Sequence, residues 1–251
     1  KEAADHCKQR FELISGHPEI FKDFLLEPGL DSQEFLISSY LSLKNFKEAK
    51  RTFSAAKKTY LSRQNDFINF ALTDLDIRLS EAIENRDLNA SVNLIPEIEN
   101  YLKENNGKIF VNTENYFYFC ISKYYFVSGN YEEALRTIND HLSSKYSKLT
   151  PEFEPYQRIL NIMIHYELGN YDLLKYLIPS AKKFLKGKKK LFRFESVILK
   201  FIGKIINAKE KKHLSELLMQ FRIEAAELKK DEYERNAFEY FNLSEWIENK
   251  V

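Results

Sequence analysis

Apolar residues recur along this chain at the three-and-four spacing of amphipathic helices, and the helical stretches pair up around a repeated turn. Tyr118, Ile121, Ser122 and Tyr125 fall at i, i+3, i+4 and i+7, one face of a 3.6-residue helix. Beyond Gly129 a second such face follows in Tyr131, Ala134, Leu135, Ile138 and Leu142. The layout returns as Ile162 and His165, then Gly169, then Tyr171, Leu174, Ile178 and Ala181. Earlier in the chain it reads Leu36, Ile37 and Tyr40, Lys44 in the place of glycine, then Phe46, Ala49, Phe53 and Ala56; and again Leu75, Leu79 and Ala82 before Leu88, Ser91, Ile95 and Ile98. The turn markers Phe46, Leu88, Tyr131 and Tyr171 are separated by 42, 43 and 40 residues. A constant step of roughly 20 to 50 residues marks a stacked array, because one such unit cannot bury its apolar face alone.

The register predicts a single helical-repeat domain over 1–251, with repeats at about 31–60, 67–104, 114–146, 153–186 and 191–228. The fifth repeat places Phe194, Val197, Phe201, Ile205 and Ala208 on its first helix and Leu214, Leu217 and Phe221 on its second. A terminal helix over 232–249, anchored by Trp246, is expected to cap the last exposed face, and a helix over 2–14 is expected to be the second half of an earlier hairpin. Pro96 and Pro179 each lie eight residues after a turn marker, so a kink or a new first turn is expected at Ile95-Pro96 and Ile178-Pro179.

Composition agrees with a folded helical chain. Of 251 residues, 44% are hydrophobic and 30% charged, while 7 glycines and 6 prolines are too few for a loop-rich protein. A formal charge of +1 supplies no global attraction to nucleic acid or an anionic membrane. Cys7 and Cys120 form no CxxC pair and no metal-ligand spacing, which predicts buried free thiols rather than a disulfide framework or zinc site. No stretch reaches the roughly 20 apolar residues of a membrane span, and no signal-peptide pattern opens the chain. Cytoplasm is the default compartment. Because the chain begins at Lys1, a trimmed or omitted upstream segment is expected, and a removed signal stays open as one form of it.

The string Tyr125-Phe126-Val127-Ser128-Gly129-Asn130-Tyr131-Glu132-Glu133-Ala134-Leu135 resembles the tetratricopeptide repeat. Tyr118, Ile121, Ser122, Tyr125, Gly129, Tyr131, Ala134 and Ile138 match the large and small positions of that family in order, with Ala134 at the helix crossing. The fourth repeat departs with Arg158 and Leu174, and the step of 40 to 43 residues exceeds the family's roughly 34. The resemblance implies an all-α fold, a right-handed α-α superhelix of helical hairpins, that binds protein segments in a groove lined by the first helices and does not catalyse.

Carried onto this chain, the groove phases fall on Tyr116, Phe119, Lys123 and Phe126 in one hairpin and on Tyr156, Ile159, Met163 and Tyr166 in the next. Aromatic and methionine residues supply area and adaptability at binding surfaces. The first two repeats offer Asp31, Glu34, Ser38, Asp76 and Ser80 at those phases, so the groove is expected to run from an acidic, polar end to an aromatic one. A second candidate is the basic patch Lys182, Lys183, Lys186, Lys188, Lys189, Lys190 and Arg193, expected on a connection between repeats around Gly187. Lysines so clustered can hold phosphates or an acidic segment; near-neutral charge argues against nucleic acid as the main partner. His6, His17, His141, His165 and His213 show no paired spacing for a metal, and neither a phosphate loop nor a GxSxG elbow is present. The reading is therefore a non-catalytic scaffold without metal or cofactor that binds a protein or peptide. The alternatives are anionic-ligand or nucleic-acid binding through the lysines, or a sensory or assembly segment of a longer protein.

Overall fold

The computed structural model describes residues 26–61, 67–143, 150, 153–208, 211–231 and 237–241, together with 5, 6, 9, 233, 234, 243 and 246. Among these residues every regular element is helical. The chain divides into two compact units, Lys1–Ser128 and Gly129–Val251.

In the first unit α1 (Leu26–Ser42) and α2 (Phe46–Leu61) pack as a hairpin, α2 packs on α3 (Phe67–Asn85), and α3 packs on α4 (Leu94–Glu104) and on α5 (Val111–Val127). Ile37, Ala49 and Ile77 form one buried cluster with Tyr40, Leu41 and Phe53 against it, so the apolar phases of three helices meet as their spacing requires. Phe53 stacks on Phe70 with centroids 4.4 Å apart, joining α2 to α3. Between α3 and α4 lies a 3-10 turn, Leu88–Ser91, and Pro96 falls in the first turn of α4, where its missing N–H costs nothing. A helix therefore begins anew at Leu94, one of the two outcomes expected around Ile95-Pro96.

In the second unit, α6 (Tyr131–Ser143) packs on α7 (Glu154–Glu167), α7 on α8 (Tyr171–Gly187), α8 on α9 (Arg193–Ile205), and α9 on α10 (Lys211–Lys230). The first helices α7 and α9 also touch each other, so contacts run between neighbours as in an array of helical hairpins. Pro179 lies inside a continuous α8. A four-residue helix, α11 (Ala237–Tyr240), follows, while the rest of the expected 232–249 cap is described only at separate residues. Cys7 and the expected helix over 2–14 lie outside the described residues apart from 5, 6 and 9.

The recurrent turn has a common backbone. Lys44, Arg86, Gly129 and Gly169, each two residues before its turn marker, all adopt left-handed conformations, with φ of 56°, 50°, 77° and 72°. At three of them the paired hydrogen bonds that close a helix C-terminus are present: Asn45 N–H to Tyr40 O at 2.8 Å, Asp87 N–H to Ala82 O at 3.0 Å and Asn170 N–H to His165 O at 3.0 Å. Two of these sites hold lysine and arginine, so the demand for a left-handed residue is real and glycine is its cheaper answer. The marker side chains are less uniform. Leu88 is 66% exposed and Tyr171 45%, so these two belong to the surface rather than to the apolar face assigned to them from spacing.

Candidate recognition faces of the first helices

In the first unit, α3 and α5 bring equivalent phases together. Tyr116 Oη donates to Asp76 Oδ1 at 2.8 Å, and Ser80 Oγ, one turn along α3, donates to the same oxygen at 3.3 Å. Asp76, Ser80, Tyr116 and Lys123 are all partly exposed, so this polar row lies at the surface of the unit. Burial nonetheless pushes the Asp76 carboxyl up to about 6, against the lowering effect of the two hydroxyl donors. The same burial, with the charges of Cys120 and Asp76 adding to it, holds the Tyr116 phenol well above its ordinary value. Cys120, one turn beyond Tyr116, is a buried free thiol as its isolation predicted. Burial first, then the Asp76 charge, pushes it up to about 12, so it stays protonated at neutral pH and is a poor nucleophile.

The eight groove residues divide by burial. Tyr116, Lys123, Tyr156 and Tyr166 keep partial exposure, but Phe119, Ile159 and Met163 are each 1% exposed and Phe126 8%. Those four are core residues of their units and offer no area to a partner in this conformation. Helix phase alone did not separate them, because a helix packed on two sides buries more than one stripe. Asp31's side chain lies outside the described set; Glu34 is partly exposed and Ser38 exposed.

In the second unit the first-helix face meets aromatic residues from the end of the chain. Tyr156 stacks on Tyr240 with centroids 4.0 Å apart and planes at 16°. Tyr166 meets Trp246 edge-on at 5.8 Å, and Trp246 Nε1 donates to Glu167 Oε1 at 2.5 Å. Phe201 and Phe221, themselves stacked at 4.1 Å, both lie roughly perpendicular to the same indole, at 6.0 and 6.2 Å. Burial pushes the Tyr166 phenol up to about 12, with the charges of Tyr171 and Glu167 adding to it. Trp246 is thus an anchor, as expected, but it sits on α7 as well as on the last hairpin. Glu234, 9% exposed, accepts from the backbone N–H groups of Arg193 and Phe194 at 3.0 Å each, and Glu195 accepts from Phe192 N–H at 3.0 Å. Two carboxylates therefore satisfy the N-terminal donors of α9. No local motif could reveal Glu234, which acts from 40 residues away.

The basic patch also changes place. Residues 182–187 belong to α8, with Gly187 its last residue, and the left-handed residue that ends the helix is Lys189 at φ 55°. Lys182, Lys183, Lys186, Lys188 and Lys189 are exposed and Lys190 partly so, while Arg193 pairs with Asp231 at 3.1 Å. Cations at a helix C-terminus complement its dipole, a structural role for part of the cluster. Phe184 lies under the Arg158 guanidinium at 3.9 Å. His165 is buried, with Nδ1 3.0 Å from Asn170 Nδ2. A surface depression of about 580 Å³ beside Arg136, Asn139 and Asn170 is an ion-paired surface, with Arg136 bonded to Glu133 and Asp140.

No group of His, Cys, Asp and Glu among the described residues could hold a metal ion, and none of the described helices is long and apolar enough to cross a membrane. Comparison with protein-family models, with curated proteins and with solved structures finds no match to this chain.

Proposed function

We propose that the chain is a non-catalytic binding scaffold, a divergent tetratricopeptide-like solenoid with the right-handed superhelix of that family, whose first helices recognise a protein or peptide segment. The observation that supports it most is the contact between Asp76 and Tyr116. Both residues fall at groove phases by register alone, lie 40 positions apart, and meet at 2.8 Å on a partly exposed face. With Ser80 and Lys123 the face carries a carboxylate, two hydroxyls and an ammonium, which suits hydrogen bonding to an extended backbone and a basic or polar side chain.

A photo-crosslinking residue at position 123 tests this reading. It should trap a discrete set of proteins, and a companion Tyr116→Phe substitution should reduce the yield while leaving the melting temperature within about 2 °C, as expected for the loss of one partly exposed hydroxyl. Crosslinking that is absent, or indifferent to Tyr116, sinks the proposal. A second reading, binding of an acidic or phosphorylated ligand by Lys182, Lys183 and Lys186, draws on their shared exposure on α8. It requires binding that weakens steeply with salt.

A further inference from the structure

Residues 182–193 carry six lysines, one arginine and no carboxylate, so with the whole chain at +1 the remaining residues are net negative by six. Elsewhere in the second unit helix cations are offset by neighbours: Lys175 pairs with Asp172, Lys200 with Glu224 and Lys230 with Glu227. Among the described residues none of the six lysines pairs with a carboxylate, and only Arg193 does, through Asp231. The dipole of α8 accounts for little of this charge, because a helix C-terminus carries only about half a negative charge. Lys182 and Lys186, at i and i+4, and Lys183 and Lys186, at i and i+3, repel each other on the helix surface. Charge is thus concentrated here against the stability of the helix, and an anionic surface would relieve the repulsion.

Exposed apolar groups accompany the lysines. Leu174, Ile178, Ala181 and Leu185 form the buried stripe of α8. Tyr176 and Lys183, two turns apart, lie opposite that stripe, and Tyr176 is 76% exposed. Past the helix end, Lys188, Lys189 and Lys190 lead directly into the partly exposed Leu191 and into Phe192, which is 55% exposed. The Phe192 N–H donates to Glu195 Oε2 at 3.0 Å, which fixes the backbone that carries this exposed ring.

We propose that the outer face of α8 and its connection to α9 dock on an anionic lipid bilayer, with the lysines over the headgroups and Phe192 and Tyr176 in the interface. Charge complementarity selects an anionic occupant, and each lysine held near such a leaflet strengthens partition about 5-fold. The apolar and aromatic side chains select a bilayer over a nucleic acid, because the membrane interface rewards their burial. The guanidinium fork suited to a phosphate chain is engaged by Asp231. The proposal rests on the lysine reading above and narrows it to lipid; it is independent of the groove on α3 and α5.

Flotation of the full chain with vesicles of phosphatidylcholine and phosphatidylserine, against phosphatidylcholine alone, tests the docking. Binding to the mixed vesicles should be at least about 10-fold stronger and should fall steeply as salt rises from about 0.1 to about 0.5 M. Lys182→Gln, Lys183→Gln and Lys186→Gln together should weaken it about 100-fold with an unchanged melt, since all three side chains are exposed. Phe192→Ala should weaken it about 3-fold or more, a loss that persists at high salt, and the emission added by Phe192→Trp should shift to the blue on mixed vesicles alone. Equal binding to the two kinds of vesicle, or an inert Phe192 beside a strong lysine effect, overturns the docking. Capture by a single-stranded oligonucleotide or by polyglutamate without binding to vesicles also overturns it, and leaves the lysine reading with a partner in solution. Absence of binding to vesicles and to both polyanions refutes the docking and the lysine reading together, while crosslinking at position 123 decides the groove separately.

Discussion

The hydroxyl of Tyr124 donates to the carbonyl of Asp87 at 2.6 Å and accepts the N–H of Ser91 at 3.1 Å. One buried phenol on α5 thus closes both ends of the 3-10 turn that follows α3. Tyr124→Phe leaves a carbonyl and an amide without that partner, and a cost of about 1–3 kcal/mol is expected. Urea unfolding of the two chains measures it. An unchanged midpoint would show that water already serves this turn.

Asp76→Asn should stabilise the protein at neutral pH. The folded carboxyl is raised to about 6 from an ordinary 3.8, so the folded chain holds a proton there that the unfolded chain releases. Its stabilising contribution is complete below about pH 3.8 and is lost as pH rises through 6. The displacement limits the gain to about 3 kcal/mol, and the exposure that Asp76 retains reduces it to about 1–2 kcal/mol. Melting curves from pH 5 to 8 should show the difference between Asn and Asp growing as pH rises through 6 and level above it; a constant difference from pH 5 upward refutes the assignment.

His141 predicts the opposite slope. Burial lowers its imidazolium to about 4 from 6.5, so the unfolded chain takes up the proton first and stability is lost as pH falls from 6.5 toward 4. His141→Gln, which cannot charge, should flatten that part of the pH profile of the melting temperature. A profile as steep as the parent's would assign the acid sensitivity to other groups.

Left-handed positions give a paired prediction of opposite sign. A Cβ on Gly169 meets nothing within 4 Å, so Gly169→Ala costs only backbone strain, about 1 kcal/mol. Lys189, at φ 55°, carries that strain already, and Lys189→Gly should return about 0.5–1 kcal/mol. Equal signs in denaturant titrations would contradict the common turn geometry.

Ala134 and Leu174 each lie three residues after a turn marker, Tyr131 and Tyr171, and both are fully buried. Ala134→Leu adds volume where none is open and should cost about 1–3 kcal/mol, read as a lower unfolding midpoint. A variant that melts like the parent would break the alignment of the repeats on which their equivalence stands.

Sequence alone determined the helices and the turns. Leu75, Leu79, Ile162 and Ala181 are buried where a 3.6-residue period places them, and the left-handed residue recurs at 44, 86, 129 and 169, even where the side chain is lysine or arginine. Both signals are local: a helix declares its apolar stripe within two turns, and a helix end needs one particular backbone conformation. Side-chain partners across 30 to 80 residues were decided by the tertiary structure. Phase put Phe119 and Met163 on a groove, and packing on two sides of α5 and α7 buried them. Phase put Asp76 and Tyr116 on one face, and packing of α3 on α5 made them a hydrogen-bonded pair with a raised carboxyl. Glu234 at the start of α9 and Trp246 against Glu167 left no local trace, because what they satisfy is an orphaned backbone donor or an exposed ring on another helix. Periodicity states which side of a helix is apolar. Which neighbour covers it depends on where the rest of the chain arrives.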